Sequence, residues 1–279
     1  MSHITSAENP RLKSLRRLQQ RRERERSGRF MAEGEDLLAA AARAGREPLE
    51  GFRVAGSGLG GPGFHDVAPA ALRAVSMLGS GTRVIGVFAQ RWEAPRGPLC
   101  VYLHGVRDPG NVGTVLRSAH AFGAACVALG PGCADPHSPK AVRASMGAIF
   151  AVALARVTDP AQLPGRRIAL AADAPEPLRG DAHGARGDAH GGHGGAQVGR
   201  GDAHGEGDDP HGGREGAVSL LVGAEREGLA PEVLAACERT ARIPIASDSL
   251  NAAMAATVAL YEITRDAALA PSSSRVRSA

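Results

Sequence analysis

Short apolar runs alternating with stretches of helical periodicity predict an α/β fold built in two parts. Three observations carry that prediction. Strand-like runs at residues 84–89, 99–104, 125–129, 152–156, 167–172 and 218–222 are separated by segments whose apolar residues recur every three or four positions. Glycines and polar residues gather where several of these runs end, which is where open α/β sheets hold their ligands. The chain of 279 residues is also long enough for two domains with sizeable cores.

The first part spans residues 1–92. Residues 11–26 read as one basic helix in which Leu12, Leu15 and Leu18 form a narrow apolar stripe, enough to dock on something but not to sit in a core. Its remaining face carries Arg11, Lys13, Arg16, Arg17, Arg21, Arg22, Arg24 and Arg26. Such a face suits phosphate backbones, because each neutralised phosphate releases counterions. Arg16, Arg17, Arg21 and Arg22 are therefore candidate contacts to a nucleic-acid backbone, against the plainer alternative of a solvated face balanced by Glu23 and Glu25. A strand near 28–34, a helix at 35–44, a strand at 52–55, a helix at 69–77 and the strand at 84–89 complete a small α/β domain. Residues 91–97, with Pro95, form the linker.

The second part, residues 98–269, opens with the strand at 99–104 and a turn through residue 111. In the helix that follows, Val112, Val115, Leu116 and Ala119 share one face, which leaves Arg117 free to point at a ligand. Gly110 and Gly113 flank Asn111 without making a dinucleotide fingerprint. Residues 138–147 look helical and bring Lys140 and Arg143, two further basic candidates for phosphate contact, toward the same region. The run 218–222 reads as a buried strand that stops at Gly223. A helix at 231–238 and a strand at 241–245 follow. A long helix then begins at Leu250, with Asp248 or Ser249 as its N-cap. Gly223, Glu225, Gly228, Ser249 and Asn251 all fall at strand ends or helix starts, and as a set they mark a ligand site.

Several classes are set aside. Cys100, Cys126, Cys133 and Cys237 show no C-x-x-C spacing, so neither a zinc site nor a disulfide framework is indicated, and reduced thiols in a cytoplasmic protein are the simplest account. No signal peptide opens the chain, and no apolar run approaches the roughly 18 residues of a membrane span. Residues 176–216 are rich in Gly, His, Asp and Arg, with RGDAHG three times and five of the ten histidines. This segment reads as a disordered insertion rather than a metal-binding tract, and no metal is expected; residues 270–279 read as a disordered tail. Net charge is only +4, from 33 basic and 29 acidic residues, so any polyanion-binding surface must come from clustering.

Three ordered stretches carry a resemblance. They are Asp108-Pro109-Gly110-Asn111-Val112-Gly113-Thr114-Val115-Leu116-Arg117, then Leu221-Val222-Gly223-Ala224-Glu225-Arg226-Glu227-Gly228-Leu229, then Ile243-Pro244-Ile245 with Ser249-Leu250-Asn251. Together they resemble the SpoU/TrmH family of RNA 2′-O-ribose methyltransferases within the SPOUT superfamily. The opening Ser6-Ala7-Glu8-Asn9-Pro10 and Phe30-Met31-Ala32-Glu33-Gly34 resemble the RNA-binding domain that many members carry.

The resemblance implies a SPOUT domain with a parallel sheet and a trefoil knot, and S-adenosylmethionine as methyl donor. It places cofactor contacts at Leu221, Val222, Gly223, Ile243, Ile245 and Leu250. It places the reaction centre at Asn111, Arg117, Glu225, Ser249 and Asn251. It implies a homodimer with the reaction site at the subunit interface, for which the face Ala252, Ala255, Ala256 and Ala259 offers close packing. Ribosomal RNA is the expected partner ahead of tRNA. An arginine stays protonated in proteins, so Arg117 is read as an electrostatic partner of a developing alkoxide or a phosphate, not as a base. The rivals are a non-catalytic RNA-binding protein and a base methyltransferase on the same fold.

Overall fold

The computed structural model describes residues 3–78, 81–179, 216–247 and 249–268. Nearly all of the expected insertion, and the tail, lie outside them. Among the described residues no helix is long and apolar enough to cross a membrane. Nor do three or more metal-ligating side chains gather among them.

The N-terminal part comprises α1 (Pro10–Arg17), α2 (Arg21–Ser27), β1 (Arg29–Glu33), α3 (Glu35–Arg43), β2 (Glu50–Val54), β3 (His65–Val67), α4 (Pro69–Arg73) and β4 (Val84–Ala89). Its sheet runs β1-β4-β2-β3, with β4 antiparallel to both β1 and β2, and β3 parallel to β2. Two expectations fail here. Leu12, Leu15 and Leu18 are at most 5% exposed and pack with Met31, Phe52 and Ile85, so the stripe is core. The single basic helix is two, because Arg24 turns inward and its Nη1 donates to the carbonyls of Leu18 and Gln19 at 2.9 and 2.8 Å. Those carbonyls close the end of α1, and the chain restarts as α2 after the extended Gln20.

The C-terminal part comprises β5 (Leu99–Leu103), α5 (Pro109–Ala121), β6 (Cys126–Leu129), α6 (Pro139–Ala144), α7 (Ala148–Ala151), β7 (Ala153–Arg156), β8 (Arg166–Leu170), β9 (Val218–Val222), α8 (Pro231–Ala235), β10 (Arg239–Ala241) and α9 (Ala252–Ala268). All six strands are parallel, in the order β10-β8-β9-β5-β6-β7. Every residue of β5 and β9 is buried, as a sheet covered on both faces requires. Helices α5 and α9 share the core of one face, and Val233 of α8 packs on the other.

The two sheets meet through an aromatic cluster. Phe30 and Phe88 lie 5.9 and 4.7 Å, ring to ring, from Phe150, and His137 sits 4.8 Å from Phe30 and 5.2 Å from Trp92. At its edge Arg24 Nη2 pairs with Asp135 Oδ2 at 2.7 Å, the side chains only 4% and 12% exposed. Burial alone pushes the Asp135 carboxyl up, but His137 and Arg24 beside it outweigh that and bring it down to about 2. Burial pushes the His137 imidazole below its ordinary value, and Asp135 only partly restores it.

Candidate active site

Three loops at the carboxyl ends of β8, β9 and β10, together with the start of α9, surround a cleft of about 890 Å3. This is the end of a parallel sheet where ligands bind, and the volume falls within the ~300–1,000 Å3 of ligand pockets. Leu170, Val222, Leu229, Leu234, Ile243 and Leu250 supply apolar wall, and Asp173, Glu225, Ser247 and Ser249 supply polar groups.

The loop after β9 owes its shape to glycine. A Cβ on Gly223 would lie 2.2 Å from the Gly228 backbone, so only glycine lets the chain fold back so tightly. Gly228, at φ +66°, donates its N–H to the Ala224 carbonyl at 2.9 Å and closes the turn that displays Glu225.

Glu225 then receives two amides from distant segments. Asn111 Nδ2 donates to Glu225 Oε1 in a short hydrogen bond. Asn251 Nδ2 donates to Asn111 Oδ1 at 3.1 Å and, more weakly, to Glu225 Oε1 at 3.5 Å. Each asparagine is fixed by its own helix start. Asp108 caps α5, its Oδ1 accepting from the Asn111 N–H at 3.0 Å, while Lys140 Nζ lies 2.6 Å from Asp108 Oδ2. That ammonium holds the Asp108 carboxyl below the usual carboxylate range. Asn251 is itself the cap of α9: its Oδ1 accepts from Ala253 and Met254 N–H at 3.0 and 3.4 Å. The cap is therefore neither Asp248, which lies outside the described residues, nor Ser249, since the helix starts two residues later than expected.

The expected site residues separate into three groups. Asn111, Glu225 and Asn251 come together, and Ser249 lines the cleft beside them. Val222, Gly223, Ile243, Ile245 and Leu250 also line the cleft, whereas Leu221 is fully buried in the core behind it. The strand expected at 241–245 is Arg239–Ala241, so Ile243 and Ile245 leave the sheet for the cleft wall. Arg117 stands apart. It is exposed on α5, six residues beyond Asn111 and so about 9 Å along the helix, and does not line the cleft.

Of the expected RNA contacts, Arg16, Arg17, Arg22 and Arg143 are exposed, as is Arg21, which pairs with Glu25 at 2.8 Å. Lys140 is exposed and paired with Asp108. Arg24, expected on the same basic face, is buried. The sequence reading passed over Asp173, Leu170 and Leu234 in the cleft. Asp173 and Leu170 sit at the end of β8, a position that alone nominates them.

The SpoU rRNA methylase family profile matches residues 98–166 and 202–261, and an MRM3-like substrate-binding domain profile matches residues 9–54. A crystal structure of an rRNA methyltransferase from Sinorhizobium meliloti superposes with a TM-score of 0.76 at 28% identity, covering 95% of this chain and 98% of that one. The AdoMet-bound form of that rRNA methyltransferase gives 0.75 at the same identity and coverage. The 23S rRNA (uridine(2479)-2′-O)-methyltransferase of Streptomyces viridochromogenes is 34% identical over 165 residues, 57% of this chain and 49% of that one. The chain spans about half the length of the curated relatives it matches.

Proposed function

We propose that this chain, a SpoU methylase by its C-terminal domain, transfers the methyl group of S-adenosylmethionine to a ribose 2′-hydroxyl of ribosomal RNA. One observation carries the reading: Asn111, Glu225 and Asn251, from three distant segments, are bonded together beside a cleft of the right size and lining. The cleft's apolar wall suits an adenine ring, and Asp173, Ser247 and Ser249 suit hydroxyl and amino groups. A donor held there supplies a methyl carbon on a cationic sulfur.

The chain's own groups position the acceptor. The 2′-oxygen takes the methyl carbon and gives up its proton, while positive charge is consumed at the donor. Reaction therefore favours a site that orients the hydroxyl and eases its deprotonation. Glu225 spends Oε1 on the two amides, and no hydrogen bond reaches its Oε2 among the described residues. That oxygen is an acceptor for the hydroxyl. Arg117 stabilises the developing alkoxide or an adjacent phosphate.

Because Arg117 lies away from the cleft of its own chain, the reading includes a homodimer. Of the alanine face, Ala252, Ala256 and Ala259 are at most 3% exposed within the chain and the half-buried Ala255 lines the cleft, so that face serves α9's own packing and the cleft wall. The stripe left open is Met254, Val258 and Tyr261, which are 59%, 42% and 54% exposed. Ser118 Oγ and Thr257 Oγ1, 2.6 Å apart, join α5 to α9 beside that stripe, so Arg117 borders the face a second copy would cover. A trefoil knot through the cleft-forming loops, the assignment of residues 1–92 to RNA binding and a cytoplasmic setting belong to the same reading.

The test is incubation of the full chain with labelled S-adenosylmethionine and deproteinised ribosomal RNA, followed by alkaline hydrolysis. A 2′-O-methyl group blocks cleavage, so label is expected in alkali-resistant dinucleotides. Label in mononucleotides would assign a base methylation instead.

A further inference from the structure

Away from the cleft, a second hollow of about 160 Å3 opens where the N-terminal sheet meets α6. Met31, Leu37 and Val142 form its floor, and Met77, Lys140 and Arg143 stand on its rim. Met77 is 52% exposed, an apolar side chain kept in water. Its backbone is nevertheless held: Glu33 accepts from the Met77 N–H at 2.9 and 3.2 Å and from Ser76 Oγ at 2.7 Å. Arg143 is exposed, and no carboxylate pairs with it among the described residues. The rim also connects to the reaction centre, since Lys140 holds Asp108 at 2.6 Å and Asp108 holds the Asn111 N–H at 3.0 Å.

We infer that this hollow seats an unstacked base of the substrate RNA next to the methylated nucleotide, with Arg143 and Lys140 on its phosphates. The inference rests on the reading of the chain as an RNA methyltransferase. At this volume, below the ~300–1,000 Å3 of pockets that enclose whole small molecules, the hollow takes the edge of one flat ring. Sequence-specific RNA recognition works on such splayed bases, and a thioether makes favourable contacts with aromatic rings. Arg143, with no carboxylate partner among the described residues, is the cation the rim offers a phosphate, while Lys140 is shared with Asp108 and Glu33 is spent on its own loop, which favours a polyanion over an acidic protein surface. The strand would pass from the hollow over Asp108 to Asn111, so the hollow reads a neighbour of the methylated position.

Methyl transfer to deproteinised ribosomal RNA, measured at varied RNA concentration, tests this in the full chain with Met77→Asp, Met77→Phe and Arg143→Glu. Met77→Asp and Arg143→Glu are expected to raise KM for RNA about tenfold, since stacking one base is worth about 1–3 kcal/mol. Donor affinity by calorimetry and kcat are expected to stay within about twofold, because the hollow touches neither donor nor reacting atoms. Met77→Phe keeps a near-normal KM, as a ring stacks where a thioether did; a merely structural role would not be rescued this way. A photocrosslinking residue at position 77 labels an unpaired nucleotide beside the methylated one. Unchanged KM in both charged variants, or crosslinks confined to duplex, overturns the inference. If the wild type methylates no RNA, the functional reading falls, and the inference with it.

Discussion

Two acid–base contacts flank the start of α6, one through Asp135 just before it and one through Lys140 in its first turn. Arg24 and Asp135 meet between the sheets, 4% and 12% exposed; Lys140 and Asp108 meet at the start of α5, 63% and 48% exposed. Their lengths are nearly equal, 2.7 and 2.6 Å, so geometry does not distinguish them. Solvent does. The buried pair sits where an unpaired charge has no water to turn to, and Arg24 spends a further donor on two carbonyls. The exposed pair is screened and contributes little to stability, yet it stands one hydrogen bond from Asn111. Of these two contacts, the one that joins the sheets is buried and the one beside the site is left wet.

Breaking the buried contact gives the largest expected effect. Asp135→Ala strands the Arg24 guanidinium and is expected to destabilise by about 3–5 kcal/mol, read from urea unfolding. Replacing both partners with apolar residues of similar volume should recover most of that loss.

Acid should act on the same contact. Because Asp135 has a folded value near 2 against an ordinary 3.8, its contribution is fully present above about pH 4 and is lost as pH falls toward 2. That displacement corresponds to about 2 kcal/mol. The lowered His137 value works in the same direction, its contribution present above about pH 6.5 and lost below it. Unfolding midpoints measured from pH 7 to pH 3 should therefore fall, and Asp135→Asn should flatten the lower part of the curve.

Lys140→Met is expected to change stability by about 0–1 kcal/mol, the range of exposed pairs, while altering turnover through Asp108 and Asn111. A stability loss as large as that of Asp135→Ala would erase the contrast between the two contacts.

Much of this was legible in the sequence because local pattern and tertiary need agree. The apolar run 218–222 has no other use than a buried central strand, and Val218–Val222 is β9. Asn111, Glu225 and Asn251 were nominated by position at strand ends and helix starts and by the family resemblance; that they meet in one hydrogen-bonded cluster is tertiary information. The break after Leu18 carries no glycine or proline, since its cause is Arg24 reaching back once Asp135 draws it inward. Leu12, Leu15 and Leu18 looked too narrow for a core because a helix alone does not show that a sheet will cover its stripe. Ile243 and Ile245 read as strand by residue type, but their side chains line a cleft, where apolar character serves a ligand instead of a sheet. Asn251 was read as a site residue alone, although one amide can cap a helix with its oxygen and reach Asn111 with its nitrogen.

The division of labour between a cleft that holds the donor and groups that act on the reacting oxygen is tested most directly at Arg117, which lies outside the cleft. Donor binding by calorimetry and single-turnover methyl transfer to ribosomal RNA are compared in wild type, Arg117→Ala and Arg117→Lys. Losing one preorganised charge donor typically costs about 100- to 1,000-fold in rate, so Arg117→Ala should slow transfer by that factor with donor affinity unchanged. Arg117→Lys should recover little, because a point charge on a flexible stem does not reproduce the planar fork. Near-normal transfer by Arg117→Ala, or loss of donor binding, would contradict that division.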